Sequence, residues 1–579
     1  MTTLLDIRVP RTLDGLVERL ADQKGATVEI WTFDDAPSRA AYTRRLADVG
    51  IKAILRSAYK PLLHFFLEEV GQGDLASAAI RYPVHAEAAE RRFLSEAYPL
   101  AALLPRTALT FEAGIANLTY EVGMSDAAGR SCMHPVFAPN RITTDHLDQT
   151  VLAPTGWLRI TPEGADVPTV DVALETDFEI LFNRIIAALQ THPWGKQEPY
   201  FKRLDISVDM PGEDRPLPYQ DEVVSLREAL HEELYFSALE VFKRHSGKPA
   251  DDRTLQPGQI VPNIRQSSGA IRATVSLGGF MEEALAPVSD HSLADSHAPL
   301  DTGRIRQELH ALGGESFSST SVIGRPVEGR LFPGNAPGVL VSAAQHANET
   351  SGIVGLLRAA PQLLERGEDN IGFIALENPD GYAMHRELCR DNPRHMHHAA
   401  RYTALGDDLE YRAGEPYYER GARLEAFKRL NARLHINLHG YPAHEWTRPL
   451  TTYLPRGFEL WSIPKGFFLI LRHHSGLEAQ ADALIQELTT RLAASPALSA
   501  YNAEQLATYR THAGEVQFPV YNGIPCLVSV NDTQGVPFTL ITEYPDETVY
   551  GDAFRLAHTT QMETVLNAVD IFRRLESNA

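Results

Sequence analysis

Cysteine is scarce in this chain. Cys132, Cys389 and Cys526 are the only three among 579 residues, odd in number and far apart. They supply neither a disulfide framework nor a C-x-x-C zinc knuckle. Long apolar runs are missing as well. The densest, Gly466 to Leu471 (GFFLIL), is far shorter than the ~20 residues of a membrane-spanning helix. Positive charge is in deficit, with 54 Lys and Arg against 75 Asp and Glu, a net charge of −21. Such a chain has no general attraction for phosphates, so nucleic acid is not an expected partner. The opening segment, MTTLLDIRVPRTLDGLVERL, is charged where a signal peptide has its apolar core, which points to a cytoplasmic protein. There is no internal repeat, no low-complexity tract, no H-E-x-x-H and no G-x-S-x-G. Ser462 to Lys465 (SIPK) matches S-x-x-K, but nothing else of a serine acyl-transferase accompanies it. What is present is an ordinary globular composition, 44% hydrophobic and 22% charged, long enough for about three domains.

The first third reads as mixed α/β. Val28 to Phe33 and Lys52 to Arg56 are strand candidates, each followed by a helix candidate, at Ser38 to Val49 and Leu62 to Val70. From Ala108 to Met210 the signals are strand-like. In Arg203 to Met210, Leu204, Ile206, Val208 and Met210 alternate with polar residues, a period of two that buries one face. A long helix is expected over Asp221 to Ser246, with Gly247 as its C-terminal cap. Leu285 to Gly303, rich in Pro, Asp and Ser, is the preferred domain boundary. The division expected is an α/β domain over 1–107, a β-rich region with a long helix over 108–290, and a third domain over 300–579. In that third domain the apolar run Pro337 to Ala343 reads as a strand buried on both faces, followed by a helix, then by strands Ile371 to Leu376 and Leu434 to Leu438. Strands alternating with helices predict a helix-covered, largely parallel sheet, whose active site gathers at the strands' carboxyl ends.

His346 and Glu349 stand in AQHANETSG, directly after the apolar strand and before a helix. Three residues apart at a strand exit, they can point two ligand atoms into one space. The segment LHINLHG offers a third. Leu434, Ile436 and Leu438 point one way, His435, Asn437 and His439 the other, and His439 lies at the strand end. Two His and one Glu, with a position left open for water, is the ligand set of catalytic zinc. Alone, the H-x-x-E pair is a weak signal, and a capped surface histidine is its commoner meaning.

The surroundings decide between these. Ser321 to Arg330 (SVIGRPVEGR), the pair itself, Asn378 to Tyr382 (NPDGY), HINLHG and Phe538 to Pro545 (FTLITEYP) follow in order. This set resembles the zinc metallocarboxypeptidases, the carboxypeptidase A-like peptidases, over about Asp301 to Ala579. The resemblance implies a mixed α/β domain with about eight strands flanked by helices, one zinc per chain, and hydrolysis of a C-terminal peptide or related amide bond by zinc-activated water. It makes Glu543 the general base, a carboxylate that takes the water's proton and passes it to the leaving amine. It offers Tyr521 as a substrate-contacting residue. It also calls for an arginine after the NPDGY turn to stabilise the oxyanion. RELCRDNPRHMHH supplies Arg386, Arg390 and Arg394, and spacing favours Arg394, then Arg390. His395, His397 and His398 lack a carboxylate or cysteine at a useful spacing, so a surface or supporting role is expected rather than a second metal.

The family's Asn-Arg clamp for a terminal carboxylate has no match. In LGDDLEYR, Glu410 and Tyr411 take those places and Arg412 follows one residue later. A glutamate there repels a carboxylate, which opens the way to amide, acyl or amine substrates. The reading is a zinc metallocarboxypeptidase-like hydrolase acting on a peptide or amide. The alternatives are an amidohydrolase on the same scaffold, cleaving small N-acyl amino acids, and a binding module that has lost turnover. The first 290 residues lie outside the resemblance. Shaping access to the cleft, holding an oligomer together and binding a partner are the roles left open for them.

Overall fold

The computed structural model describes residues 2–70, 75–249, 251–280 and 291–577. Residues 285–290, the first part of the expected linker, lie outside the described residues. The chain forms a mixed α/β structure with several sheets.

In the N-terminal half three four-stranded sheets recur. One joins Thr2–Val9, Ile271–Gly278, Arg203–Met210 and Gln259–Gln266. A second joins Val170–Leu174, Gly156–Thr161, Thr27–Thr32 and Lys52–Ser57. A third joins Ala108–Ala116, Leu75–Val84, Thr119–Asp126 and Ser131–Phe137, so strands on either side of residue 107 are neighbours. The alternation in Arg203–Met210 buries Leu204, Ile206, Val208 and Met210 as expected. The strand-rich stretch also holds a helix, Asp177–Thr191. Thr176 caps it and Glu179 returns to the Thr176 backbone, a T-x-x-E capping box.

The long helix α1 (Leu226–Ser246) is capped by Ser225 and ends at Gly247, which adopts φ 71°, a left-handed conformation glycine takes without strain. Most of α1 is buried, including Glu228, Glu232, Glu233 and Glu240. These carboxylates have specific partners. Glu233 accepts from the backbone N–H groups of Leu450 and Thr451, and Arg448 reaches both Glu233 and Glu240. The largest apolar cluster contains residues of the N-terminal sheets together with Met384, Met396, Trp446 and Tyr453, so the two halves share a core.

The C-terminal half is built on nine strands: β1 (Glu315–Thr320), β2 (Pro326–Phe332), β3 (Gly338–Ala343), β4 (Ile371–Ile374), β5 (Ala432–Pro442), β6 (Phe468–His473), β7 (Val520–Tyr521), β8 (Ile524–Val530) and β9 (Phe538–Glu547). Their order is β1-β2-β4-β3-β5-β9-β6-β8-β7. The sheet has one strand more than expected and is not largely parallel. Four pairings are parallel, and four, including β6 with β9, are antiparallel. Two of the antiparallel pairings are hairpins at the sheet's ends, β1 with β2 and β7 with β8; the other two, β2 with β4 and β6 with β9, join strands far apart in the chain. β3 is buried along its whole length, as its apolar run requires. Helix α2 (Ser351–Glu365) crosses helix α3 (Asp552–Ser577) at Gly355, where a Cβ would lie 2.5 Å from the Gln561 Cβ.

Candidate metal centre

β3 ends at Ala343, and Ala344, at φ 55°, turns the chain back over the strand tips. That turn places His346, and Glu349 stands two residues before α2. The first turn of α2 is held by Asp546 of β9, whose carboxylate accepts from the Ser351 N–H at 2.7 Å. His439 lies near the end of β5, facing Glu543 across the β5–β9 pairing. The residue after His439 must be small. A Cβ on Gly440 would sit 2.0 Å from the Asp546 carboxylate, and the Gly440 N–H donates to Glu349 Oε2 at 3.0 Å.

Three ligand atoms converge here. His346 Nδ1 lies 2.8 Å from Glu349 Oε1, His439 Nδ1 lies 3.0 Å from Glu349 Oε2, and the two Nδ1 atoms are 3.0 Å apart. All three residues are buried. A tetrahedral ion with ligand distances of about 2.0–2.1 Å needs ligand atoms about 3.3–3.4 Å from one another. The separations fall about 0.3–0.6 Å short of that, a gap that small side-chain shifts close, so this nitrogen and oxygen set fits zinc. Among the described residues no other group of three His, Cys, Asp or Glu converges in this way. His346 Nε2 faces Asp408 Oδ2 at 3.3 Å, which fixes the ring with Nδ1 toward the centre. Burial opposes the charge on Glu349, but His346 and His439 hold its carboxyl well below the ordinary range.

The centre opens into a cavity of 670 Å3. Glu543 lines it, half-buried, and desolvation together with the Glu349 charge pushes its carboxyl well above the ordinary range, against the pull of Arg401, His346 and Lys465. Trp446, Phe458 and Trp461 form an apolar wall. The loop carrying Trp446 is pinned to α1 through Arg448 and Glu233. Arg401 enters the cavity and donates to Glu349 Oε1 at 2.7 Å.

The motif residues outside the centre have structural work. Asn378 caps the helix Pro379–Leu388 by accepting from the Gly381 N–H at 2.9 Å, and its amide donates to the Tyr402 carbonyl at 3.2 Å, next to Arg401. Asp380 accepts from Ser321 and Arg325, each at 2.8 Å, which ties SVIGR to NPDGY.

Several expected site residues lie elsewhere. Arg394 is exposed, 3.6 Å from Asp221 and over the Tyr550 ring. Arg390 is exposed and does not line the cavity. Arg412 is buried in a cage of Thr403, Asp407 and Glu419. Tyr521 sits on the edge strand β7, packed against the apolar cluster of the C-terminal half, three strands from β9 and outside the cavity lining. The arginine that reaches the centre is Arg401, just past the stretch that sequence spacing favoured. Chain spacing does not tell which arginine of a loop turns inward. Glu410 and Tyr411 do line the cavity, but Glu410 is paired with Arg423 at 2.7 Å, so its charge is met within the protein. His395, His397 and His398 are all buried, so of the surface or supporting roles expected of them the surface one falls away. His395 pairs with Asp214, while His398 lies at the cavity wall among aromatic rings. Asp408, Arg423, Glu547 and Arg472, also at the cavity, went unread because each is a single polar residue with no spacing pattern.

No protein-family model and no curated protein sequence matches this chain. Solved structures do. A metallo-carboxypeptidase from Burkholderia cenocepacia matches at 15% identity over 53% of this chain and 73% of that one, with a TM-score of 0.30. A murein-tripeptide amidase from Escherichia coli O157 matches at 14% identity over 45% of this chain and 95% of that one, with a TM-score of 0.25. Bovine thrombin-activatable fibrinolysis inhibitor, in complex with tick carboxypeptidase inhibitor, matches at 8% identity over 50% of this chain and 100% of that one, with a TM-score of 0.30. The chain resembles carboxypeptidase-like proteins. No helix among the described residues is long and apolar enough to cross a membrane.

Proposed function

We propose that this protein is a zinc-dependent, metallocarboxypeptidase-like hydrolase that cleaves a peptide or related amide bond. The observation that carries the reading is the convergence of His346 Nδ1, Glu349 and His439 Nδ1 in a buried cluster, with Glu543 one strand away in the same cavity. Polarisation of the substrate carbonyl and acidification of the attacking water are what a bound zinc supplies there. Glu543 accepts a proton from that water on its carboxylate and returns it to the leaving nitrogen. Arg401, rather than Arg394, is the cation placed to meet negative charge on the substrate's carbonyl oxygen. Asp408 holds the His346 ring, and Trp446, Phe458 and Trp461 keep bulk water from the reacting bond.

A second reading, an amidase or deacylase for small acyl amino acids, is favoured by Glu410 and Tyr411. They stand at the cavity where the family has its carboxylate clamp, and Glu410 is engaged by Arg423. A panel of peptides, peptide amides and N-acyl amino acids, assayed with and without chelator, separates the two. Chelator-sensitive turnover of either class supports a hydrolase. Full turnover after complete removal of metal contradicts it.

A further inference from the structure

The cavity floor continues beyond Glu543. Three ladder rows cross β5, β9 and β6: His439, Glu543 and Phe468; then Asn437, Ile541 and Ile470; then His435, Thr539 and Arg472. Every member of the second and third rows lines the cavity. Rows on one face of a strand are about 6.6–6.8 Å apart, so the third lies roughly 13 Å from the first, less the length of any side chain that reaches back.

Five arginines line the cavity: Arg253, Arg401, Arg420, Arg423 and Arg472. Four of them are engaged. Arg401 is held by Glu349, and Arg423 by Glu377 and Glu410. Arg420 donates to the carbonyls of Glu410 and Arg412, and Arg253 donates to the Tyr411 hydroxyl. Arg472 makes no side-chain hydrogen bond or ion pair with any described residue. It is half-buried, on a strand inside the sheet, and Asn531, Thr533 and Gln534 line the cavity near it. A guanidinium offers five N–H donors in a fork that matches a carboxylate. Without an internal counter-ion, those donors are left for what enters the cavity.

We propose that Arg472 is a specificity-determining residue that receives a carboxylate of the substrate at the far end of the cavity. The proposal rests on the reading of this cavity as a hydrolase site and names its substrate class: peptides or acyl amino acids with an acidic residue at or next to the scissile bond. It also answers the missing clamp. Glu410 and Tyr411 offer no cation, and Arg472, lining the same cavity, does.

The test compares kcat/KM for matched substrates ending in glutamate and in glutamine, on wild type, Arg472→Gln, Arg472→Lys and Arg472→Glu. Wild type should favour the glutamate substrate roughly 10- to 100-fold, the range of a charge-assisted bidentate contact. The ratio should fall to near one in Arg472→Gln, persist in part in Arg472→Lys and invert in Arg472→Glu. A second measurement does not depend on turnover. Calorimetry should show glutarate binding the purified wild type at least about tenfold more tightly than Arg472→Gln, with no such difference for neutral glutaramide. Equal ratios and equal glutarate binding in wild type and Arg472→Gln overturn the proposal and leave the hydrolase reading standing. If no substrate turns over, that reading fails, while the glutarate comparison still decides the role of Arg472.

Discussion

His346 and His439 hold their Nδ1 atoms 3.0 Å apart, although one stands on the turn after β3, the other on β5, and 93 residues separate them. Two imidazole nitrogens that close share at most one proton, and both also lie within 3.0 Å of a Glu349 oxygen. Three ligand atoms crowded together in a buried space make sense around a cation.

Glu543→Gln tests the base. The amide keeps the shape of the side chain but cannot accept the water's proton. Metal content should stay at the wild-type level, while kcat falls by about 10³-fold or more, as when a base acts as one unit with an activated water. Turnover near wild type in this variant removes Glu543 from the mechanism.

Arg401 and Arg394 make a matched pair, since one enters the cavity and the other lies on the surface. Arg401→Ala should lower kcat by about 10²–10³-fold, the cost of losing one preorganised donor to developing negative charge. Arg394→Ala should stay within about twofold of wild type, as surface changes usually do. Steady-state kinetics on both variants checks this, and a reversed order would restore Arg394 as the electrophile.

The centre was legible in the sequence because its ligands sit at strand ends with regular spacing. The apolar run of β3 and the alternation in LHINLHG bring His346, Glu349 and His439 to strand exits, and the ordered motifs around them single the three out as ligands. Glu543 was legible only through the resemblance, since the alternation in FTLITEYP fixes its face but not its role. Arg401 was not. It follows a loop with several arginines, and what turns it inward is the buried Asn378 amide holding the neighbouring Tyr402 carbonyl. The four buried glutamates of α1 were also hidden, because their partners lie more than 150 residues away, in the 396–451 region. The helix Asp177–Thr191 announced itself only by its T-x-x-E box, inside a stretch whose apolar residues suggested strands.

Arg448 links the halves. It is fully buried between Glu233 and Glu240 of α1, on the loop that carries Trp446 into the cavity wall. Arg448→Ala leaves two carboxylates without their counter-charge and should cost about 3–5 kcal/mol of stability. Urea unfolding followed by tryptophan fluorescence measures it. A loss below 1 kcal/mol, on the order of an exposed ion pair, would mean that the loop does not depend on α1.

The His444–Glu228 pair gives a pH signature. Burial disfavours the charged imidazole, but Glu228 at 2.7 Å, with Glu222 and Asp221 nearby, outweighs it and pushes the pKa up to about 9. The folded state therefore binds this proton more tightly than the unfolded chain. The stabilisation is complete below the ordinary value of 6.5 and is lost as pH rises through 9. The stability gap between wild type and His444→Gln should shrink by up to about 3 kcal/mol between about pH 6 and pH 9.5. A gap that widens over that range would contradict the assignment.

The most direct measurement is metal content. Elemental analysis of the purified protein after exhaustive dialysis should find about one zinc per chain, bound by two histidines and a glutamate. His439→Ala, which removes one of three protein ligands, should lose most of that zinc, while His395→Ala keeps it. Zinc retained in full by His439→Ala, or absent from wild type reconstituted with zinc, would contradict the centre described here.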